Sequence, residues 1–570
     1  MTPGLMIVCF VVLVAVSALA PRIGVAAPLA LVAGGVALSY APGVDVVEVD
    51  PELVLAGILP PLLYASAVNM PTLDFRRELR SITWLSVVVV VVSALLCGLV
   101  VSALVPGVGF AAGMALGAVI SPTDAVATSI VKEAGVAPRV VTVLDGEGLL
   151  NDATALVLLR SAVAGGALTV GGVAGDLLRS LVVAVLVGAV VGRLTLQVRS
   201  RIADDTLNVA TSFVVPYLAF FPAEEAGASG LVAAVVAGLV VSARRVHELP
   251  AAVRRAESTN WHSVSFLLEG AVFLLMGLQT RGLVEDFRAD SRTWVDVALV
   301  GGCCLLVLWG VRAAFVATLV ARAGTEHARG RARTEAVRRH WQGRLERTVT
   351  RRHDPAAAER RASRVRTELE RREADLRFYA DEQLRKRDGG VLFWAGLRGA
   401  VTLAAAQTIP AGTAHRPLLV LTAFALAVAT LVLQGGTLSW LVTRLGARVD
   451  RRDVRREHGT SLAELLAGVA DSTTGDIAAN GLDGRQVEWL VLDQAREASH
   501  PERYTLWAGD DEADRHRRIT EYRRVRQAII DDQREALLDA RASGRYDSAA
   551  VREMLLRLDA GEMTVDGLQG

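Results

Sequence analysis

The stretch VVVVVVSALLCGLVVSALV, residues 87–105, decides the fold class because it is long, apolar and free of charge. A helix of about 20 such residues crosses the roughly 30 Å hydrocarbon core of a bilayer. Similar apolar runs, separated by short charged loops, extend in both directions from Leu5 to Leu445. The pattern predicts an all-α protein that crosses the membrane many times, and it excludes a soluble globular enzyme.

Composition narrows the expected cofactors and partners. The chain has 61 basic and 60 acidic residues and a formal net charge of +1, which gives no reason to expect nucleic-acid binding. No GxxxxGK[ST] phosphate loop occurs, so we expect neither ATP nor another cofactor. The cysteines lie in apolar runs, which predicts small buried side chains and neither a disulfide framework nor a zinc site: Cys9, Cys97, Cys303 and Cys304.

Hydrophobic segmentation predicts about thirteen transmembrane helices, and the arginines indicate their orientation. Most arginines follow odd-numbered spans, as at residues 76–80 and 244–255. Because cytoplasmic loops carry the excess of Arg and Lys, we expect the N-terminus outside and the C-terminus in the cytoplasm. Three connections assigned to the outside also contain arginine, and at 280–292 acidic residues partly balance it. These features predict a multi-pass protein of the cell membrane.

Two charged regions depart from the apolar pattern. Residues 321–388, an insert within the predicted transmembrane domain 1–445, combine strong helix formers with alternating charge and indicate a solvated cytoplasmic helical hairpin. Contact of its arginines with anionic membrane lipid is the alternative. Residues 446–570 have apolar residues at three-to-four spacing and predict cytoplasmic amphipathic helices, the final two joined at Gly544.

Ionisable residues deep in the predicted spans are candidate functional residues, because charge at membrane depth is costly. We interpret Glu269 as a core-facing structural carboxylate, with a ligand role as the alternative. The candidates and their motifs are Asp124 in GAVISPTDAVATSIV, Glu147 and Asp152 in LDGEGLLNDATALVLL, Glu269 in SFLLEGAVFLLMGLQ, Arg312 in LLVLWGVRAAFVATLV and Arg398 in FWAGLRGAVTLAAAQ.

The sixth span places a carboxylate, an amide and a small residue on one helical face. Gly148 and Asp152 are four residues apart, as are Glu147 and Asn151, so the two pairs form adjacent stripes. Gly148 leaves open space one turn from the Asp152 carboxylate. Such a carboxylate can coordinate a partly dehydrated cation and take a proton when the cation leaves. A helix cap or an interhelical hydrogen bond is the structural alternative for Asn151 and Asp152.

Helix-breaking residues mark two other spans. Pro122 interrupts span five, and Gly396 and Gly399 flank Arg398 in span twelve. Broken helices at membrane depth line cavities and form ion sites in transporters. A repeat of spans one to six in spans eight to thirteen makes spans five and twelve counterparts, which predicts an inverted-repeat transporter.

Four motifs in this order, PTDAVA, EGLLNDATAL, FLLEGAVFLLMGLQ and WAGLRGAVTLA, resemble bacterial sodium/proton antiporters of the monovalent cation:proton antiporter-1 family. The resemblance covers roughly Leu5 to Leu445. It implies exchange of cytoplasmic Na⁺, with Li⁺ or K⁺ as alternatives, for external H⁺ by alternating access. It also implies a homodimer with spans one to three and seven to ten at the interface. Spans four to six and eleven to thirteen would form the transporting core, with spans five and twelve unwound and crossing.

The resemblance also assigns residues to roles. Asp152 would be the shared proton and cation ligand and Asn151 its support, with Thr123 and Asp124 completing a Na⁺ site at the helix break. One departure is Gly148, where many members of the family have serine, so a hydroxyl ligand is missing.

The resemblance further pairs Glu147 with an arginine of span eleven, here Arg312. With Glu147 neutralised and Asn151 uncharged, Asp152 supplies one exchangeable charge, so we expect electroneutral exchange. Other readings stay open: a K⁺/H⁺ antiporter, or a gated cation channel with a cytoplasmic sensor, although no carbonyl filter or charged ring is evident. An intramembrane enzyme is disfavoured, because the spans contain no HExxH motif or serine elbow.

Overall fold

A computed structural model describes residues 3–23, 25–47, 49–163, 170–350, 384–449, 452–482, 485–497 and 512–566. These residues are helical apart from loops and two isolated β-bridges. The chain forms two compact units. One comprises Met1–Leu249, Ala256–Thr325 and Gln383–Val449, and the other Pro250–Arg255, Glu326–Glu382 and Asp450–Gly570.

The first seven helices are α1 Pro3–Leu19, α2 Ala27–Ser39, α3 Leu53–Asn69, α4 Thr72–Leu104, α5 Phe110–Ile120, α6 Ala125–Glu133 and α7 Pro138–Val163. The next are α8 Val170–Arg199, α9 Asp205–Glu225, α10 Gly230–Glu248, α11 Ala251–Leu278 and α12 Thr280–Arg288. Then follow α13 Trp294–Thr350, α14 Lys386–Trp394, α15 Ala400–Gln407 and α16 Arg416–Arg444.

The apolar helices are long enough for a polytopic membrane protein. Within the described residues, seven are long and apolar enough to cross a bilayer, and four shorter apolar helices accompany them. A total of thirteen spans requires the shorter and interrupted helices to cross the membrane as well, so that number stays a prediction. The inverted repeat also stays a prediction.

Two helix interruptions stand where the sequence indicates them. Helix α5 ends at Ile120 and α6 begins at Ala125, because Pro122 has no amide proton to donate within a helix. Between α14 and α15 the chain is non-helical from the end of α14 at Trp394 to Gly399, which caps α15. Each interruption leaves free helix ends in the middle of an apolar region.

Glycine allows helices of the first unit to pack backbone to backbone. A Cβ atom on Gly277 of α11 would lie 2.2 Å from the carbonyl oxygen of Val32 in α2, and one on Gly35 would lie 2.3 Å from that of Leu274. Such distances are too short for any side chain, so small residues are required at this crossing. The contact fixes the second half of α11 against α2.

The second unit has its own small core. Its helices are α17 Arg452–Asn480, α18 Trp489–Glu497, α19 Glu512–Ser543 and α20 Ser548–Asp566. Ala470, Val491, Val525 and Ile529 pack together inside it. Gly544 has a left-handed φ of 68° at the turn between α19 and α20. The boundary at 445/446 and the cytoplasmic location stay predictions.

Helix α13 continues through the first part of the predicted charged insert, as far as Thr350. The first part of the insert is rich in helix-forming residues because it continues a helix that begins in an apolar span. The return segment of the predicted hairpin, at 351–383, lies outside the described residues.

Candidate cation site at the two helix interruptions

The two interruptions meet. The backbone amide of Asp124 donates to the carbonyl oxygen of Leu397 at 3.0 Å, which joins the α5–α6 break to the α14–α15 break. Gly399 faces the Asp124 side chain so closely that a Cβ atom there would lie 1.9 Å from Oδ2. Glycine at this position therefore lets the Asp124 carboxylate approach the first residues of α15.

Two helix N-termini converge on Asp124. Its side chain caps α6 by accepting from the amide of Val126 at 3.2 Å, and its contact with Gly399 lies at the N-cap of α15. Helix N-termini present free amide groups and a partial positive charge, which stabilise an anion. Asp124 therefore lies where the first turns of two helices meet.

Arg398 binds carbonyl oxygens at the C-terminal end of α5. Its Nη1 donates to the carbonyl oxygens of Ser121 at 2.7 Å and Pro122 at 3.2 Å, just after α5. Its backbone amide donates to Oγ1 of Thr430 in α16 at 3.0 Å. A cation is favourable beside the unpaired carbonyls at a helix C-terminus. Arg398 is 3% exposed, so these bonds form away from bulk solvent.

The Asn151 side chain holds Thr123 in place through two hydrogen bonds. Its Nδ2 donates to Thr123 Oγ1 at 2.8 Å and to the Thr123 carbonyl oxygen at 3.3 Å, and the Thr123 hydroxyl donates to Glu147 Oε1 at 3.2 Å. In the described part of the chain, the buried Oδ1 of Asn151 has no hydrogen-bond partner. This acceptor oxygen is the kind of group that a hard cation prefers.

Asp152 lies next to this network without joining it. The residue is 8% exposed, and within the described ranges no side chain donates to it or pairs with it. A Cβ atom on Gly148 would meet only the Thr123 carbonyl oxygen, at 3.9 Å, so the expected open space beside Asp152 is present.

Glu147 and Arg312 form a two-pronged contact. Arg312 Nη1 donates to Glu147 Oε1 and Nη2 to Oε2, the second at 3.0 Å, and both residues are 2% exposed. Arg312 Nε also donates to the carbonyl oxygen of Leu392 at 3.0 Å. A Cβ atom on Gly396 would lie 2.7 Å from Arg312 Nε, so the glycine makes room for the guanidinium.

Glu269 is more exposed than the other carboxylates in the predicted spans, and its structural role stays a prediction. Its side chain lies on an exposed face of α11, and the described residues provide it with no hydrogen bond or ion pair. Among the described residues, no three His, Cys, Asp or Glu side chains come together as a metal site.

Sequence reasoning missed the groups that complete this arrangement. Thr430 and the carbonyl oxygens of Leu392 and Leu397 hold the interruptions in place. Backbone carbonyls have no sequence signature, and Thr430 has the same appearance as any threonine in an apolar helix. The glycines at 396 and 399 were the available signal, since two close glycines beside an arginine in a span indicate crowded backbone.

We expect Gly399→Ala to remove most of the cation/proton exchange that the sequence resemblance implies. The added methyl group would occupy the position of the Asp124 carboxylate, 1.9 Å from Oδ2, so the two interruptions would have to separate. Rates of cation-driven proton movement in vesicles, normalised to protein amount, measure the effect. Gly302→Ala is the matched control, because a Cβ atom at Gly302 meets no atom within 4 Å. Equal activity in the two variants would show that the close contact is dispensable.

The chain matches known proteins along its apolar region. The family described as sodium/hydrogen exchanger, transmembrane, matches residues 7–444. The "Uncharacterized Na(+)/H(+) exchanger YjcE" of Escherichia coli is 35% identical over 303 residues, which are 50% of this chain and 55% of that protein. The "Uncharacterized Na(+)/H(+) exchanger Mb2309" of Mycobacterium bovis is 28% identical over 564 residues, 95% of this chain and 92% of that protein.

A solved structure supports the fold. The sodium proton antiporter MjNhaP1 from Methanocaldococcus jannaschii at pH 8 is similar with a TM-score of 0.53 and 13% identity, over 78% of this chain and 98% of that one. The family match over residues 7–444 confirms the resemblance based on four motifs. Since the family match extends over most of the chain, the protein belongs to the family of transmembrane sodium/hydrogen exchangers.

Proposed function

We propose that the chain is a secondary antiporter that exchanges Na⁺ for H⁺ and that Asp152 binds the two ions in turn. The observation that supports this assignment most directly is a buried carboxylate with no protein partner in the described residues, beside the meeting point of two broken helices. An ion pair would neutralise Asp152 permanently. Without one, its charge is available to either a cation or a proton.

The residues around Asp152 would then have different roles in ion binding. Ionised Asp152 binds Na⁺, and Asp124 and Asn151 Oδ1 provide further oxygen near it. Thr123 is held by Asn151 and Glu147 and contributes through its carbonyl oxygen, 3.9 Å from the Cβ position of Gly148. When Na⁺ leaves, a proton neutralises Asp152, which removes the cost of an unpaired charge in a low-dielectric site. When the site changes the side of the membrane to which it opens, Asp152 is either ionised with Na⁺ bound or protonated with no cation bound.

The larger arrangement follows the family pattern. The interrupted helices and α7, which carries Asp152, belong to the moving core, and the protein acts as a homodimer in the bacterial cell membrane, surrounded by lipid. The N-terminus lies outside and the C-terminal helices lie in the cytoplasm. Na⁺ and H⁺ are the substrates, and the activity serves sodium and pH homeostasis.

Dequenching of a pH-sensitive dye in acidified everted vesicles tests the function. Addition of Na⁺ should release protons from the vesicles, and parallel additions of Li⁺ and K⁺ rank the cations. A response to K⁺ with none to Na⁺ would replace the assignment with K⁺/H⁺ exchange. Cation current without any proton movement would contradict antiport and favour a channel.

Exchange should be electroneutral, with about one proton for each monovalent cation. Asp124 is held at the N-termini of α6 and α15 and Glu147 is paired with Arg312, which leaves Asp152 as the carboxylate that we assign to proton exchange. In sealed proteoliposomes, a potassium potential set with valinomycin should leave the Na⁺/H⁺ exchange rate unchanged. A rate that changes steadily with the imposed voltage would mean that net charge moves and that Asp124 carries a second proton.

A further inference from the structure

A hydrogen bond between two glutamines joins the residue between α11 and α12 to the end of α15, beyond the cation site. Gln407 Nε2 donates to Gln279 Oε1, and Gln279 is 6% exposed. Gln407 lies two turns after the Asp124–Gly399 contact, which is about 12 Å along the helix at 1.5 Å per residue. Both residues lie at the helix ends assigned to the outer side of the membrane.

Each glutamine is fixed to a different group of helices. Gln279 follows the segment of α11 that packs against α2 through Gly35 and Gly277. On the other side, the guanidinium of Arg416 in α16 donates to the carbonyl oxygens of Gln407 and Ile409, both at 2.7 Å. Helix α15 packs mainly against α5 and α16, and it also contacts the start of α3. Helix α12, which begins directly after Gln279, packs against α16. The glutamine pair is therefore one of several contacts between the α2–α11–α12 group and the α5–α15–α16 group.

The chemistry of the pair suits a contact that must open and close. A hydrogen bond between neutral amides contributes much less than a buried ion pair costs to break, so it can be made and lost in every cycle. Breaking it uncovers no charge. Each freed amide can bond to water that enters the outer cleft, which keeps the open state accessible.

We propose that Gln279 and Gln407 form an outer latch that holds the antiporter closed on its external side and separates when the site opens outward. This inference rests on the proposed exchange function, because it assigns α11 and α15 to bodies that move past each other. The latch is a positioning contact and does not bind the transported ion. Holding it closed should stop exchange without altering the cation site.

Reversible cross-linking tests the latch. In a variant whose four native cysteines are replaced by alanine, Gln279→Cys and Gln407→Cys introduce a pair that a short bis-methanethiosulfonate reagent can join. We expect efficient cross-linking, measured by mass spectrometry, and loss of Na⁺-driven proton flux in proteoliposomes. A reducing agent should restore the flux. The cysteine-free parent, treated with the same reagent, should be unaffected.

A second pair of cysteines provides the matched control. Val46→Cys with Gly282→Cys joins the loop that follows α2 to α12, where a Cβ atom on Gly282 would lie 2.9 Å from Val46 Cγ1. Cross-linking of this pair should leave flux intact. Full flux through protein cross-linked at 279 and 407, or no cross-linking there in active protein, would overturn the latch. Absence of exchange in the wild-type protein would instead contradict the proposed function.

Discussion

Exchange of Na⁺ for H⁺ is expected to fall to the level of protein-free vesicles when Asp152 is replaced by Asn. The substitution preserves size and shape but removes the group that titrates, so neither ion can be bound as a charge. Since Asp152 has no protein partner in the described residues, the replacement breaks no ion pair and the protein should remain folded. Na⁺-driven proton flux in proteoliposomes measures the loss.

Asp145→Asn is the matched control for this prediction. Asp145 lies on the same helix and pairs with Lys132 at 2.9 Å, in a contact that is partly exposed. Exposed ion pairs contribute at most about 1 kcal/mol, so the control should retain exchange. Substantial exchange in Asp152→Asn, with folded protein in the membrane, would mean that another group carries the proton.

Glu147→Ala should lower the free energy of unfolding by about 3 to 5 kcal/mol, because it leaves Arg312 buried without its carboxylate partner. The substitution also removes the acceptor of the Thr123 hydroxyl, so the helix interruption loses support. We expect earlier thermal denaturation of the purified protein in detergent, together with reduced exchange.

Glu269→Ala distinguishes a specific ion-pair effect from the removal of any carboxylate in a span. Glu269 lies on an exposed face without an ion pair among the described residues, so this variant should keep the stability of the wild-type protein. A Glu147→Ala protein that is as stable as wild type but inactive would assign Glu147 a direct role in ion transport. The structural role would then be wrong.

The sequence was sufficient for features that depend on local chemistry. Apolar runs fixed the membrane class, and Pro122 predicted the end of a helix because proline removes an amide donor wherever it stands. The glycine at 148 predicted open space because it has no side chain. The stripe of Glu147 and Asn151 follows from helical periodicity, and both side chains do reach Thr123.

Other features depend on which distant segments touch, and no local pattern encodes that. The contact of Asp124 with Gly399 joins residues from two interruptions, and Arg398 reaches the carbonyls of Ser121 and Pro122. The exposed position of Glu269 was also unpredictable. In a span that is apolar on all sides, the sequence does not indicate which face of the helix is buried. Its orientation depends on how α11 packs against α2.

Isothermal titration calorimetry of the purified protein with NaCl tests most directly whether Na⁺ and H⁺ share Asp152. Titrations in buffers with different ionisation enthalpies count the protons released for each Na⁺ bound. A shared site predicts about one proton per Na⁺ at the pH where exchange is active, and no Na⁺-linked proton release from Asp152→Asn. Na⁺ binding that releases no proton at any pH, or unchanged release from Asp152→Asn, would contradict a shared site.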